Sequence, residues 1–99
     1  MLVTHKASYT FQAVSGNDNQ IDSSCSSITF DNAGDVDLKI VAPGGDLTAN
    51  YYLLKAGKSV DFGGRLDALL TDSYNIQFVS GQTGVTLLNV IRETYQLLS

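Results

Sequence analysis

Two segments near the middle of this 99-residue chain have the pattern of β-hairpins. Residues 28–40 and residues 53–62 both carry alternating apolar and polar side chains on either side of a short turn that contains glycine. Alternation of period two places one face of a strand against a core, and a short glycine-containing turn joins antiparallel strands. The two segments therefore predict a small antiparallel β domain, because a helix does not gather every second residue on one face.

The turns of these segments are predicted from their small and polar residues. In the first hairpin, residues 31–35 fit a type I turn in which Gly34 adopts a positive φ, a conformation that glycine reaches without a steric penalty. In the second hairpin a single glycine provides the turn, and a glycine pair then ends the next strand. The predicted turn-forming residues are Asn32, Gly34, Gly57, Gly63 and Gly64.

Alternation also predicts strands before and after the hairpins. Residues 3–14 alternate without interruption, which predicts a long, half-buried strand with Tyr9, Phe11 and the other odd-numbered residues on its buried face. Residues 73–79 predict a further strand with its aromatic and aliphatic side chains inward. Residues 85–92 predict the final strand, and its extension to residue 98 fits either a strand or a helical stripe.

One long polar segment separates the first strand from the hairpins. Residues 15–27 are rich in Ser, Asn and Asp, and we expect an exposed loop or an arm that becomes ordered on a partner. The remaining segments amount to about seven strands with regular turns between them. The pattern predicts an all-β fold, an antiparallel β-sandwich of the immunoglobulin-like or small jelly-roll type, formed by residues 1–99 as a single domain.

Composition limits the partners of such a domain. Charged residues make up 16% of the chain, against about 25% in typical domains. Hydroxyl and amide side chains replace them, which fits burial at protein contacts. The net charge is −4 and the six basic residues are scattered, so we expect no nucleic-acid binding. The apolar runs are too short for membrane insertion, and we expect no signal peptide.

The chain has few residues of the kinds that catalyse reactions or bind metals. Cys25 is the single cysteine and cannot form an internal disulfide, and His5 is the single histidine, so we expect neither a zinc site nor a nucleophile with its base. The acidic residues at 31–37 depart from the calcium-loop pattern, because Ala33 occupies a position that needs an oxygen ligand. We therefore expect no cofactor, no bound metal and no enzymatic activity.

Aromatic and apolar residues at two places are candidates for contact with other molecules. Tyr51 and Tyr52 point to opposite faces of one predicted strand, so we expect one in the core and the other exposed to a sugar or a neighbouring subunit. Tyr95, Leu97 and Leu98 are apolar at an end of the chain that otherwise frays, which favours contact with a neighbour.

The hairpins and the strand after them also resemble a known group of proteins. Residues 30–40 read F-D-N-A-G-D-V-D-L-K-I, residues 54–62 read L-K-A-G-K-S-V-D-F and are followed by two glycines, and residues 74–78 read Y-N-I-Q-F. This order resembles small β-sandwich structural proteins of bacterial-virus particles. To a lesser degree it resembles the immunoglobulin-like adhesion modules of bacteria.

The resemblance implies a role in a virus particle. We expect a structural component of a bacteriophage virion, in the capsid, at a vertex, or in the neck or tail, which acts through oligomeric assembly. Its partners would be copies of itself and other virion proteins, and it would be made in the host cytoplasm. The alternative is a stand-alone β-sandwich module that binds a glycan or a receptor.

Overall fold

The structure is a computed structural model that describes residues 4–16, 19–63 and 69–98. These residues form strands and turns without a helix, which confirms the predicted all-β class. One more strand is present than predicted, and it lies in the polar segment. The strands are β1 (Thr4–Val14), β2 (Asn19–Asp22), β3 (Ser27–Asn32), β4 (Leu38–Val41), β5 (Tyr52–Leu54), β6 (Ser59–Gly63), β7 (Ser73–Phe78) and β8 (Leu88–Leu98).

The strands form two four-stranded sheets. Sheet A has the order β1-β8-β3-β6, and sheet B has the order β2-β7-β4-β5. All the pairings between neighbouring strands are antiparallel. The last strand, β8, lies inside sheet A between β1 and β3, so the first and last strands of the chain belong to one ladder.

The core lies between the inner faces of the two sheets. Sheet A contributes Ile28 and Phe30 from β3 and Leu88 and Val90 from β8, and all four are fully buried. Burial of such a side chain stabilises the fold by about 1.5–3 kcal/mol, so this layer is the main source of stability. Sheet B contributes the residues of β7 that alternation predicts to face inward, which are Tyr74, Ile76 and Phe78.

Three aromatic rings join the sheets. The Phe30 ring centroid is 5.8 Å from that of Phe62 on the neighbouring strand β6 and 5.5 Å from that of Tyr74 in sheet B, and both contacts are edge-to-face. The centroids of Phe62 and Tyr74 are 5.3 Å apart. Such pairs contribute about 0.5–1.5 kcal/mol beyond the area that they bury. The rings therefore fix how the two sheets stack on each other.

The two predicted hairpins are wrong, because β3 and β4 lie in different sheets, as do β5 and β6, so each short connection carries the chain from one sheet to the other. A buried amide holds the connection between β3 and β4. The sequence predicts Asn32 as a turn residue, and in the structure it is the last residue of β3 and is fully buried. Its Nδ2 donates to the carbonyl oxygens of Val36 (2.9 Å) and Leu54 (3.1 Å), and its Oδ1 accepts a hydrogen bond from the amide of Gly34 (3.3 Å). Because an unpaired buried carbonyl is costly, Asn32 ties the turn to β5 as well as to its own strand.

Gly34 is needed for a different reason from the one that the turn pattern predicts. Its φ is not positive. Instead, the backbone of residues 85–87 passes directly against it, so that a Cβ would lie 2.7 Å from the amide nitrogen of Leu87 and closer still to the carbonyl oxygen of Val85. Gly57, in the turn between β5 and β6, does have a positive φ of 78° and no other heavy atom within 4 Å of an added Cβ.

Of the other two predicted turn glycines, one belongs to the β3–β6 pair, where it lies opposite Ser27. Gly63 is the last residue of β6, with a φ of 85°, and a Cβ there would lie 2.6 Å from the carbonyl oxygen of Ser26. Gly64 lies outside the described residues. Gly63 therefore combines a left-handed backbone with a close approach of a neighbouring strand.

The polar segment that was expected to be an exposed loop or arm belongs to the fold. Its middle part forms β2, which pairs with β7, and Ile21 is buried there. Ser23 is also buried and donates its hydroxyl to the carbonyl oxygen of Asp72 (2.6 Å), and Cys25 forms a β-bridge with Leu70. The backbone amide of Ser23 donates to the same carbonyl oxygen (3.1 Å), and the Ser26 hydroxyl accepts a hydrogen bond from the amide of Tyr95 (3.2 Å). A Ser-rich segment packs in this way because its hydroxyls bond to backbone groups of other segments.

The C-terminal end of the chain is a strand, and the helical alternative is wrong. β8 runs without interruption to Leu98, and residues 94–98 pair with residues 4–8 of β1. The pairing partner decides the structure here, because the apolar spacing fits both conformations. Among the described residues, no helix has the length and apolarity needed to cross a membrane.

We expect the substitution Gly34→Ala to destabilise the protein by about 3 kcal/mol or more, because the new methyl group must displace the backbone of residues 85–87. The matched control is Gly57→Ala, which has open space and suffers only the left-handed strain of about 1–2 kcal/mol. Urea unfolding measures both losses. Equal losses for the two variants would contradict the close approach at Gly34.

Candidate assembly surface

The long strand β1 does not have the buried face that its sequence predicts. β1 pairs with β8 along all of its 11 residues, and Gln12 lies opposite the buried Val90. Directly opposed residues of antiparallel strands point to the same side of the sheet, so the even-numbered residues of β1 face the side of the core. Tyr9 and Phe11 therefore lie on the outer face of sheet A, and the predicted burial of these two residues is wrong.

The apolar residues of β1 are exposed to solvent. Tyr9 is 55% exposed and Phe11 is 74% exposed. Each residue from Lys6 to Ala13 is exposed, whichever face it occupies, and only Val14 at the end of the strand is buried. An eight-residue stretch of strand with both faces in water gains almost no hydrophobic stabilisation inside its own chain.

The strands β1 and β8 also extend beyond the rest of sheet A as a ribbon. β3 pairs with β8 only from Leu88 to Glu93. Beyond that point residues 94–98 pair with residues 4–8, and no other described strand adjoins them. An isolated two-stranded ribbon is at best marginally stable in water. The molecule is elongated and measures 56 × 26 × 17 Å.

The free edge of β1 has little protection against pairing with another strand. Natural edge strands are usually short, interrupted by a bulge or proline, or charged. β1 is 11 residues long, its register with β8 is continuous, and it contains no proline. Among its described side chains only Lys6 carries a charge. No described strand pairs with this edge, so within the described part of the chain it presents an uninterrupted row of backbone groups to solvent.

Glu93 lies between two tyrosines on the outer face. Tyr9 and Tyr95 both donate their phenol hydroxyls to its carboxylate. The hydrogen bond from Tyr9, followed by that from Tyr95, holds the pKa of Glu93 below its usual range. The same bonds raise the pKa of both phenols, because their ionisation would break the hydrogen bonds beside a negative charge. Tyr95, a predicted contact residue, thus belongs to the same surface as Tyr9.

A groove lies beside the most exposed of these residues. It has a volume of about 520 Å³ and is lined by Phe11, Gln12, Ala13, Asp31, Asn89 and Ile91. Phe11 and Ile91 lie directly opposite each other in the ladder. We call the free edge of β1, together with the outward side chains of Tyr9, Phe11, Ala13, Ile91 and Tyr95, the β1 surface.

The predicted contact residues Tyr51 and Tyr52 lie at the edge of sheet B. The Lys39 Nζ is 4.6 Å from the centroid of the half-buried Tyr51 ring, a cation–π contact. Tyr52 is 47% exposed and, with Pro43 and Phe62, lines an open cavity of about 490 Å³. Neither tyrosine belongs to the buried core, so the expectation that one of them does is wrong.

The predicted contact residues Leu97 and Leu98 lie near the end of the ribbon. Their backbone pairs with residues 5 and 4 of β1, and their side chains lie outside the described part of the chain. The structure therefore places the C-terminal segment next to β1 and apart from the tyrosine pair of sheet B.

The acidic residues in the connection between β3 and β4 accept hydrogen bonds from backbone and side-chain amides. The Asp35 carboxylate accepts a hydrogen bond from the amide of Val85 (3.0 Å), and that of Asp37 accepts one from the amide of Ala56 (2.8 Å) and one from Gln82 (3.1 Å). The bond from Ala56 is the main reason why the pKa of Asp37 lies below its usual range. In the described parts of the chain no three His, Cys, Asp or Glu side chains are grouped so as to hold a metal ion.

Cys25 is a core residue in the structure. It is fully buried, and burial raises the pKa of its thiol. Because the thiolate is the reactive form of cysteine, this environment disfavours nucleophilic chemistry. The role of Cys25 is therefore packing between β2 and β3, next to Leu70.

Comparison of the chain with protein-family models, with curated proteins and with solved structures found no match. The resemblance to virion proteins therefore remains a prediction from the hairpin residues. The function has to be argued from the geometry of the β1 surface.

The sequence contained one signal that could have revealed this surface. Alternation runs without interruption over residues 3–14, whereas in the longest strand of sheet B it covers only residues 73–79. A strand that is longer than the sheet facing it extends past the core, whatever its alternation predicts. Alternation shows which residues share a face, and it does not show whether another sheet covers that face.

We expect the tyrosine contacts of Glu93 to be lost in acid. Because the folded pKa lies below the unfolded value, their stabilisation is present above the unfolded value, near pH ~4.3, and disappears as the pH falls through the folded pKa. A ¹³C NMR titration of the Glu93 carboxyl measures this pKa. The substitution Tyr9→Phe removes the hydrogen bond that lowers the pKa of Glu93 most, so the pKa should rise; an unchanged value would refute the contact.

Proposed function

We propose that this protein is a structural subunit of a bacterial-virus particle and that it acts by assembling with copies of itself through the β1 surface. The observation that carries the proposal is the exposure of a long apolar edge strand. The proposal concerns assembly first, and the kind of particle is its more specific part.

The side chains of the β1 surface favour burial against another protein. Tyr9 and Phe11 are more than half exposed, and they lie next to Ile91 on the same face. Burying a large apolar side chain is worth about 1.5–3 kcal/mol, so a neighbour that covers both residues gains a substantial part of a binding free energy. Tyr9 and Tyr95, which are hydrogen-bonded to Glu93, also suit burial against another protein, because each combines an apolar ring with a hydroxyl that already has a partner.

The backbone of the β1 surface favours a strand as the neighbouring element. No strand among the described residues pairs with the outer edge of β1, and none adjoins the ribbon beyond β3, where the amide of Tyr95 donates to the Ser26 hydroxyl. A soluble protein that stayed monomeric would be expected to protect such an edge with charges, a bulge or a proline. Strand addition satisfies the backbone groups and supports the ribbon in one step.

The assignment to a virus particle depends on the sequence resemblance of residues 30–40, 54–62 and 74–78 to virion proteins. Three segments follow one another in the chain: F-D-N-A-G-D-V, L-K-A-G-K-S-V-D-F and Y-N-I-Q-F. Their order resembles that of small virion β-sandwich proteins. Low charge and a polar surface rich in hydroxyls and amides suit a subunit that is surrounded by others. A particle assembled from many copies contains the same pairwise contact between many neighbouring copies, and an exposed strand edge can form such a pairwise contact.

We expect the purified protein to form an oligomer that the substitution Phe11→Ser weakens by about tenfold or more, because a buried Phe is worth about 1.5–3 kcal/mol and 1.4 kcal/mol is tenfold in affinity. The control is Val85→Ser, since Val85 is 62% exposed but lies outside the β1 surface. Sedimentation velocity across a concentration series measures the effect. A strict monomer, or equal weakening by both variants, would refute assembly through this surface.

A glycan- or receptor-binding module is the second candidate, and the exposed Tyr52 favours it. Tyr52 lines an open cavity whose lining contains no charged side chain, a setting in which an aromatic ring can stack on a sugar. We expect that, if this function is the correct one, Tyr52→Ala abolishes a signal on a glycan array while the thermal unfolding temperature stays close to that of the wild type. Phe11→Ser is the control that should keep the signal.

A further inference from the structure

The structure points to a defined partner for the free edge of β1: we propose that two copies of the chain join by antiparallel pairing of β1 with β1 across a two-fold axis at Tyr9. This inference deepens the proposed function and rests on it, because it specifies the geometry of the self-contact. The resulting sheet would contain eight strands, with β8, β1 and their counterparts from the second copy at its centre.

The length of β1 argues for another β1 as the partner. A free edge of 11 residues needs a strand of similar length to pair with all its backbone groups. The other described edge strands are β6 with five residues, β2 with four and β5 with three. Each of these would leave more than half of β1 unpaired, whereas a second β1 leaves none.

The register follows from the bounds of the strand. β1 runs from Thr4 to Val14, so its central residue is Tyr9. A two-fold axis at Tyr9 pairs all 11 described residues of the strand, and every shift from it leaves some of these residues unpaired at both ends of the ladder. This register also keeps odd-numbered residues opposite odd-numbered ones, so the two outer faces join into one surface, as the period of two requires.

The side chains fit this register. Phe11 of one copy faces the small Ala7 of the other, so each large ring meets a small neighbour on the outer face. At the axis, the hydrogen bond from Tyr9 to Glu93 of its own chain draws the phenol toward β8 and away from the free edge. The two Tyr9 rings therefore have room to lie side by side.

The charges do not oppose the pairing. Lys6, the only charged one among the described side chains of β1, faces Gln12 of the second copy. The two Lys6 residues are separated by six residues along the ladder, or about 20 Å, which exceeds the screening length of about 8 Å at physiological salt. An isologous contact of this kind also closes on itself and does not continue into a fibre.

Disulfide trapping tests the register. Single cysteines are placed on the outer face as Tyr9→Cys, Ala7→Cys and Phe11→Cys; the wild type, whose Cys25 is fully buried, controls for background crosslinking. Opposed residues have Cα atoms about 4.5–5.5 Å apart, within disulfide range, whereas diagonal neighbours at about 7–8 Å are outside it. We expect the Tyr9→Cys variant to form a crosslinked dimer with itself. A mixture of the Ala7→Cys and Phe11→Cys variants, both of which keep Tyr9, should form a crosslinked dimer of one variant with the other.

The outcomes separate this inference from the proposed function. Crosslinks at Tyr9→Cys and in the mixture support the two-fold pairing, and so does the mixed dimer alone if Tyr9→Cys weakens assembly. An oligomer in sedimentation that gives neither crosslink, or that gives the Phe11→Cys dimer as its main product, overturns the register and leaves assembly standing. A monomer at every concentration overturns both proposals.

Discussion

The structure depends on the burial of Leu88 and Val90 in β8. These residues are fully buried between the sheets, and they belong to the one strand that pairs with both β1 and β3. Because a slip of one residue would turn every side chain of a strand to the other face, the core leaves β8 one register. Because β1 pairs with β8 in a single register, the orientation of β8 also fixes that of β1 and places Tyr9 and Phe11 on the outer face. A packing constraint in the middle of the sandwich thus decides the chemistry of its outer surface.

Close backbone approaches and one buried amide complete the architecture. Asn32 satisfies two carbonyl oxygens from different segments, and Gly34 lets the chain before β8 pass against the connection between β3 and β4. Asn32 is the last residue of β3 and Gly34 lies in that connection, and each of them contacts a segment that is distant in sequence. The connection between β3 and β4 therefore organises one end of the sandwich. Its composition predicts only a reversal of chain direction.

The β1 surface is the part of the molecule that its own fold leaves incomplete. The core accounts for the interior of both sheets, but β1 and the ribbon gain little from it. An exposed edge strand of this length promotes aggregation unless another strand pairs with it. A self-limiting contact between two copies would remove that hazard, which links the architecture to the proposed role in assembly.

The amino-acid sequence by itself determined the all-β class, the inward alternation of β7, and the turn at Gly57, because each depends on local periodicity or on the backbone freedom of one residue. It did not reveal that the polar segment contains β2, since the hydroxyl bonds of Ser23 need a partner from a distant part of the chain. Tertiary structure alone decided the strand conformation of the C-terminal end and the outward orientation of Tyr9 and Phe11. The physical reason is that alternation groups side chains on a face, whereas only the stacking of one sheet on another determines which faces are buried.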